Sequence, residues 1–443
     1  MAAQRLFARM LAHTFLAGEL SIKEITARST RMLGRQWRWL NPLARRFVRE
    51  VVGQVRPRHR DVVRFLQQDQ GFQEAWVKHR RRLFIAEWRT DSEPMSPVAA
   101  AASWHLPSIE SVGDLAHWLN LTASELEWFA DLKGFNSRPD PSPLSHYSYR
   151  VLTKRSGKIR LIEAPKTRLK KLQQQILSEI LDKVPPHLAS HGFVRGRSIR
   201  TFVASHVGHR VVLRIDLSDF FPSFRAARIQ TIFRVLGYPE PIADLFGGIC
   251  TNAAPRDLSR KPPFDVNPDD WRESQALHSR PHLPQGAPTS PALANICCYR
   301  LDCRLSGLAK VAGAMYTRYA DDLAFSGDRE FEKHVERFAT HAAAILLEEG
   351  FHVNFHKTRI MRQGVRQHLV GLVANDHMNV IRRDFDRLKA TLTNCVRHGP
   401  ASQNRDAHPQ FRSHLDGRVA FVESINPQKG ARLRRIFAQI RWQ

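Results

Sequence analysis

Two adjacent carboxylates, Asp321 and Asp322, interrupt an apolar stretch of the chain. Ala314-Met315-Tyr316-Thr317-Arg318-Tyr319 before them and Leu323-Ala324-Phe325-Ser326 after them read as two strands joined by a turn. Neighbouring acids repel, and burying either one without a partner is costly. A divalent cation removes that penalty, because its charge exceeds that of any side chain nearby. A hairpin tip of this kind presents Asp321 and Asp322 to a cleft. The other reading is an ordinary acidic turn, and the rest of the chain has to decide between them.

With 443 residues, 42% of them hydrophobic, the chain is long enough for two or three globular domains. Its 68 Lys and Arg against 42 Asp and Glu leave a formal net charge of +26. Such an excess calls for an acidic partner, most simply nucleic acid. No apolar run approaches the ~20 residues needed to span a bilayer, so no membrane partner is expected. The five cysteines, Cys250, Cys297, Cys298, Cys303 and Cys395, form no set of paired CxxC motifs, which argues against a cysteine zinc site. Their odd number and the lack of a secretory signal point to a reducing, cytoplasmic setting.

Residues 1 to about 100 combine Arg, His and Trp with helical spacing in Leu43 to Phe65 and Ala75 to Trp88. Trp37, Trp39, Trp76 and Trp88 either pack a small helical core or stack on bases. Ser92 to Ser103 reads as a linker. Residues 106–135 predict short helices, with Thr122 and Glu125 at capping-box spacing. Tyr147 to Leu152 and Ile159 to Ile162 flank Lys154-Arg155-Ser156-Gly157-Lys158, a basic hairpin with Gly at its turn. A helix follows with Leu169, Leu172, Ile176 and Ile180 on one face. After the Gly- and Arg-rich loop His191 to Ser198, Val211 to Asp216 reads as a buried strand ending in an acid. Asp216 opens Asp216-Leu217-Ser218-Asp219-Phe220-Phe221, which suits a third metal ligand beside an aromatic wall, while Asp219 is placed to cap a helix. Arg256 to His282 predicts a polar surface insertion. Leu283-Pro284-Gln285-Gly286-Ala287-Pro288-Thr289-Ser290-Pro291 makes a tight loop able to approach a flat ligand. Helices are expected over Ala292 to Leu308 and Phe331 to Glu349, strands near Phe351 to Phe355 and Gln367 to Val373, and basic helices over Arg382 to Trp442.

The basic hairpin, Asp-x-x-x-Phe-Phe, Pro-Gln-Gly-x-x-x-Ser-Pro, Tyr-x-Asp-Asp and Gly-Phe-x-x-Asn-x-x-Lys-Thr resemble the motifs of reverse transcriptases, in their usual order, over roughly residues 106–443. Within that family the chain is most similar to the bacterial retron type, through Leu115-Ala116, Glu125-Leu126-Glu127-Trp128, Tyr319 to Ser326, Gly417 and Asn426-Pro427. Two departures concern motifs linked with recognition of the retron's own RNA. Asn-Ala-x-x-His is reduced to His206, with Phe202 and Val203 in the first two places, and Leu369 to Asn375 replaces Val-Thr-Gly.

The resemblance implies an α+β chain with a right-hand polymerase fold. It would comprise a helical basic extension (residues 1–100), leader and fingers (106–205), a palm with an antiparallel sheet (206–365, insertion 256–282) and a helical thumb (366–443). Chemistry and resemblance together imply that Asp216, Asp321 and Asp322 hold two Mg²⁺ ions, about 3.5–4 Å apart in such sites. By resemblance, Arg160 contacts the triphosphate, with Lys158 a weaker candidate. Phe221 blocks a ribose 2′-OH, Gln285 and Gly286 line the nucleotide and template, Tyr319 lies near the primer end, and Lys357 protonates the leaving pyrophosphate. The implied partners are dNTPs, a cognate noncoding RNA serving as template and 2′-OH primer, its RNA–DNA product, and a separate effector protein in antiphage defence. Two alternatives remain at this point. One is another bacterial reverse transcriptase, group II intron-like or of a different defence type; the lack of a recognisable maturase or endonuclease segment argues against the intron form. The other is a catalytically silent RNA-binding scaffold, against which the complete acid set argues.

Overall fold

The structure, a computed structural model, describes residues 2–51, 57–86, 94–135, 145–154, 159–255 and 267–442. Helices and antiparallel strands divide between two compact units, residues 1–185 with 224–293, and residues 186–223 with 294–443.

The first unit opens with five helices, Ala2–Leu16, Ile22–Met32, Leu40–Val51, His59–Gln68 and Gln70–His79. Leu40, Leu43, Ala44 and Phe47 recur at helical spacing and bury one face. They join Leu11, Phe15, Ile25, Leu66 and Phe72 in a single apolar core. Trp37 belongs to that core and Trp39 and Trp76 pack against it; Trp88 lies outside the described residues. Trp37, Trp39 and Trp76 thus serve packing. Val112–Trp118 and Ala123–Ala130 each begin with a capping box, Ser111 with Asp114 and Thr122 with Glu125. Strands β1 (Tyr147–Thr153) and β2 (Ile159–Pro165) pair antiparallel with Thr153 opposite Ile159. The helix Thr167–Glu179 buries Leu169, Leu172 and Ile176.

Two expectations change. Of the surface insertion, residues 256–266 lie outside the described residues, but Pro268–His278 is a helix that buries Trp271 and His278. Asn267 caps it and Pro268 takes its first position, a helix-start signal that the polar composition hides. The single helix expected over Ala292 to Leu308 is two, Ser290–Cys297 and Tyr299–Val311, separated at Cys298.

The second unit is built on β3 (Val211–Ser218), whose run of apolar residues is buried on both faces. On one side it pairs with β5 (Asp322–Gly327), which pairs in turn with β4 (Met315–Tyr319). On the other side it meets β6 (His352–Val353) at its C-terminal end and β7 (Arg359–Arg362) at its start. Every pairing is antiparallel. The helix Arg329–Glu348 buries Phe331, Val335, Phe338, Ala342 and Leu346, spaced three or four residues apart along one face. A small sheet follows, in which His368–Leu369 turns back on Leu372–Val373 through Val370 and Gly371, both at positive φ. The helices Arg382–His398, Phe411–Ile425 and Pro427–Ala438 close over Leu388, Leu392, Leu415, Val419 and Leu433. Among the described residues no helix is long and apolar enough to cross a membrane.

Candidate active site

The register of the second unit's sheet decides where the acids fall. Asp216 on β3 stands directly opposite Asp322 on β5, and Cβ atoms of such pairs lie about 4.5–5.5 Å apart. Tyr319 closes the β4–β5 ladder against Asp322, so Ala320 and Asp321 form the connecting turn. Ala320 takes φ 54°, the left-handed value such turns require. The Leu217 amide donates to the Asp321 carbonyl at 3.0 Å, which ties the turn to the end of β3. The Asp321-Asp322 turn thus has a third acid, from a distant stretch, opposite Asp322.

Asp216 is 2% exposed. Its Oδ1 is buried and makes no hydrogen bond among the described residues. The Lys357 ammonium lies 3.1 Å from Oδ1, but it has hydrogen-bonding geometry only towards Oδ2, at 3.2 Å. Asp322 accepts from Arg214, with Nε 2.6 Å and Nη2 2.5 Å from Oδ1. Burial raises the Asp322 carboxyl to about 6; the charges of Asp321 and Asp216 push the same way and Arg214 opposes them. A buried carboxylate oxygen without a hydrogen bond, opposite a second acid that resists ionisation, is a donor set that fits a hard divalent cation.

The hairpin is held from behind by charge. Arg318 is fully buried and forks onto Asp302, Nε to Oδ1 at 2.8 Å and Nη2 to Oδ2 at 2.7 Å. Its Nη1 donates to Asn295 Oδ1 at 3.0 Å, and Tyr316 adds a hydroxyl bond to Asp302 at 2.8 Å. The loop before β3 runs alongside: His191 donates to the Arg318 carbonyl and the Arg318 amide to that of Ala189, both at 2.7 Å. Next to them, a Cβ on Gly192 would come within 2.7 Å of the Ala320 nitrogen. Phe193, at φ 59°, sets its ring 6.3 Å from those of both Phe221 and Tyr319. Below the sheet His206 is fully buried, 2.7 Å from Ser326 Oγ and 2.7 Å from Thr317 Oγ1.

Asp216, Asp321, Asp322, Lys357, Tyr319 and Phe221 thus share the second unit. Arg160, Gln285 and Gly286 belong to the first. There Arg160 projects from β2 as an exposed residue. The Gln285 carbonyl accepts from the Glu163 amide at 3.0 Å. Gly286 has φ 139°, and a Cβ there would meet the Glu163 carbonyl oxygen at 2.8 Å, so the loop lies flat on β2 only with glycine. Lys158 lies outside the described residues. Sequence reasoning missed Arg214, Gly192, Phe193 and the Arg318–Asp302 pair. For Arg214 a signal exists: a lone cation in an apolar strand, two residues before Asp216 and so on the same face.

The reverse transcriptase (RNA-dependent DNA polymerase) family matches residues 152–381. The chain is 40% identical over 363 residues to the retron Mx65 reverse transcriptase of Myxococcus xanthus, covering 80% of this chain and 78% of that one. It is 36% identical over 342 residues to the retron Mx162 reverse transcriptase of the same organism, covering 73% and 66%. With the retron Ec86 reverse transcriptase of Escherichia coli the identity is 31% over 292 residues, covering 65% and 79%. Opposed acids on a single antiparallel sheet and this likeness over most of the chain agree: the protein belongs to the reverse transcriptases, within them to the retron type, and is an RNA-directed DNA polymerase.

Proposed function

We propose that the protein copies part of a cognate structured noncoding RNA into single-stranded DNA, starting from a 2′-OH of that RNA and leaving a branched RNA–DNA product. The observation that carries the chemistry is the opposition of Asp216 and Asp322, with a buried Asp216 oxygen lacking a hydrogen bond. The likeness to retron enzymes of Myxococcus and Escherichia supports the choice of template.

Asp216, Asp321 and Asp322 would hold two Mg²⁺ ions. When bound, the ions lower the pKa of the attacking hydroxyl and offset the charge gathering on the leaving pyrophosphate. The protein's own groups do the rest. Lys357, exposed but already beside Asp216, delivers a proton to the leaving group. Phe221, backed by Phe193, crowds the ribose 2′ position. Tyr319 flanks the primer end, Arg160 meets the triphosphate, and Gln285 with Gly286 lines the nucleotide. We read residues 106–205 as fingers, 206–365 as palm and 366–443 as thumb. Residues 1–100 offer a surface for a separate effector in a cytoplasmic defence system.

Nucleic acid co-purified with the protein from its native host tests this directly. Separate RNase and DNase digestion, denaturing gels and sequencing should show a short DNA joined to one RNA species through a 2′ linkage. RNA without DNA, together with activity on an added primer–template, would leave a polymerase and remove the retron product. Primer extension by Asp321→Ala protein would sink the metal site.

A further inference from the structure

The loop before β3 holds one residue in a conformation that the stability of the chain does not call for. Gly192 and Phe193 form a turn, and Phe193 takes φ 59°. Left-handed backbone in a turn ordinarily falls to Gly or Asn, and a bulky side chain there is strained. The residue is also 53% exposed, so its ring returns little by burial.

The conformation is nevertheless held firmly. Asn295 is buried, and its Nδ2 donates to the Gly192 carbonyl at 2.8 Å. That carbonyl belongs to the peptide leading into Phe193. The amide of Asn295 can face only one way. Its Oδ1 accepts from Arg318 Nη1 and from Ser190 Oγ, both at 3.0 Å, and an arginine only donates. Arg197 closes the loop by donating to the carbonyls of Leu188 and Ser190. All of these residues lie in the second unit. Strained backbone that its surroundings over-determine clusters at ligand clamps and active sites.

The neighbours of the ring narrow the ligand. The ring centroids of Phe221 and Tyr319 stand 6.3 Å from that of Phe193, with the planes 51° and 37° apart. That spacing lies towards the long end of the range in which rings attract. Phe221 and Tyr319 are themselves only half-buried. The three rings thus present a flat apolar surface beside the turn that carries Asp321, which Gly192 touches at Ala320. A nucleobase is the flat group that an RNA-directed DNA polymerase brings to its acids, and stacking on an aromatic ring accepts any base. On the proposed function, Tyr319 and Phe221 serve the growing strand, at the primer end and at the incoming ribose. The ring next to both, on a separate loop, is left for the opposite strand.

We propose that Phe193 stacks on the template base that pairs with the incoming nucleotide. Asn295 and Arg197 hold the loop so that this platform is set before the template arrives. The choice of strand rests on the proposed roles of Tyr319 and Phe221.

The test uses full-length protein freed of nucleic acid. Its probe is an RNA template with 2-aminopurine at the templating position, annealed to a DNA primer ended by a dideoxynucleotide. Stacking quenches 2-aminopurine fluorescence. Saturating wild type should quench it. Phe193→Asn, which suits the left-handed turn and removes the ring, should leave it several-fold brighter. Phe193→Trp should restore the quench. Phe193→Asn should melt no lower than wild type, because it relieves strain and removes an exposed ring. Its kcat/KM for dNTP on an ordinary template should nonetheless fall by about 5–150-fold, the weight of one base–aromatic stack. Equal quenching by wild type and Phe193→Asn overturns the proposal. So does a changed rNTP:dNTP preference with unchanged fluorescence, which would make Phe193 a prop for Phe221. Asp321→Ala separates the two levels. If it still extends primers, the site itself is misplaced. If it is inactive while Phe193→Asn quenches like wild type, the stack alone falls.

Discussion

Asp216 and Asp322 face each other across the β3–β5 ladder, and each is met by a protein cation, Lys357 on the first and Arg214 on the second. The two cations offset the charge of this facing pair from within the chain. They differ in how readily they can leave: Lys357 is 56% exposed and Arg214 only 17%. On the proposed mechanism Lys357 is the one that would swing away as a metal arrives and turn to the substrate afterwards.

Lys357→Gln should therefore change two quantities in opposite senses. Turnover should fall by about 10²–10⁴-fold, the usual weight of a general acid. The Mg²⁺ concentration for half-maximal rate should fall as well, because a competitor for Asp216 is gone. Steady-state primer extension over a Mg²⁺ series measures both. A higher Mg²⁺ requirement would instead make Lys357 part of the metal's support.

Gly192→Ala places a methyl group 2.7 Å from the Ala320 nitrogen, and the backbone of the turn has to move. A misplacement of about 1 Å at reacting groups costs on the order of 10²-fold in rate. Circular dichroism should be unchanged while single-nucleotide incorporation drops. A variant with full activity would show that the loop does not set the position of Asp321.

Phe221→Ala should admit ribonucleotides, raising their kcat/KM relative to dNTPs by about 10–100-fold, the range open to one steric contact. Competition between rNTP and dNTP on one template reads this ratio. An unchanged ratio would remove Phe221 from the gate.

His206 gives the fold a pH dependence. Burial lowers its pKa from 6.5 to about 3, so it is neutral in the folded chain. The unfolded chain takes up the proton near pH 6.5, and between there and pH 3 unfolding binds more protons than folding does. Stability is thus fully present above about pH 6.5 and declines as the pH falls. The loss attributable to His206 is about 2 kcal/mol at pH 5. Urea unfolding at pH 5 and pH 7.5 should show a smaller difference for His206→Gln than for wild type. Equal differences would mean that the ring is not held neutral.

Local signals carried much of this site. Apolar runs around Asp321-Asp322 and the strand ending at Asp216 were readable because alternation and charge placement are local properties. The Gly-rich turn chemistry of Gln285-Gly286 was readable for the same reason. Register was not, and it is register that sets Asp216 opposite Asp322 rather than one residue off. Nothing local in the sequence pairs the buried Arg318 with Asp302, sixteen residues upstream. The helix Pro268–His278 was hidden because its contacts are with β2, more than a hundred residues earlier, and its polar sequence has few apolar positions to show a period.

Arg318 and Asp302 are both without exposed surface. Mobile ions weaken charge pairs that solvent can reach, over a screening length of about 8 Å at physiological ionic strength, but they do not enter a sealed pair. Grip on a nucleic-acid backbone behaves in the opposite way, loosening steeply as counterions accumulate. Concentrated salt should consequently strip the template from this enzyme while leaving the acid-bearing hairpin in shape. Inactivation of that kind is desorption, and dilution alone restores activity.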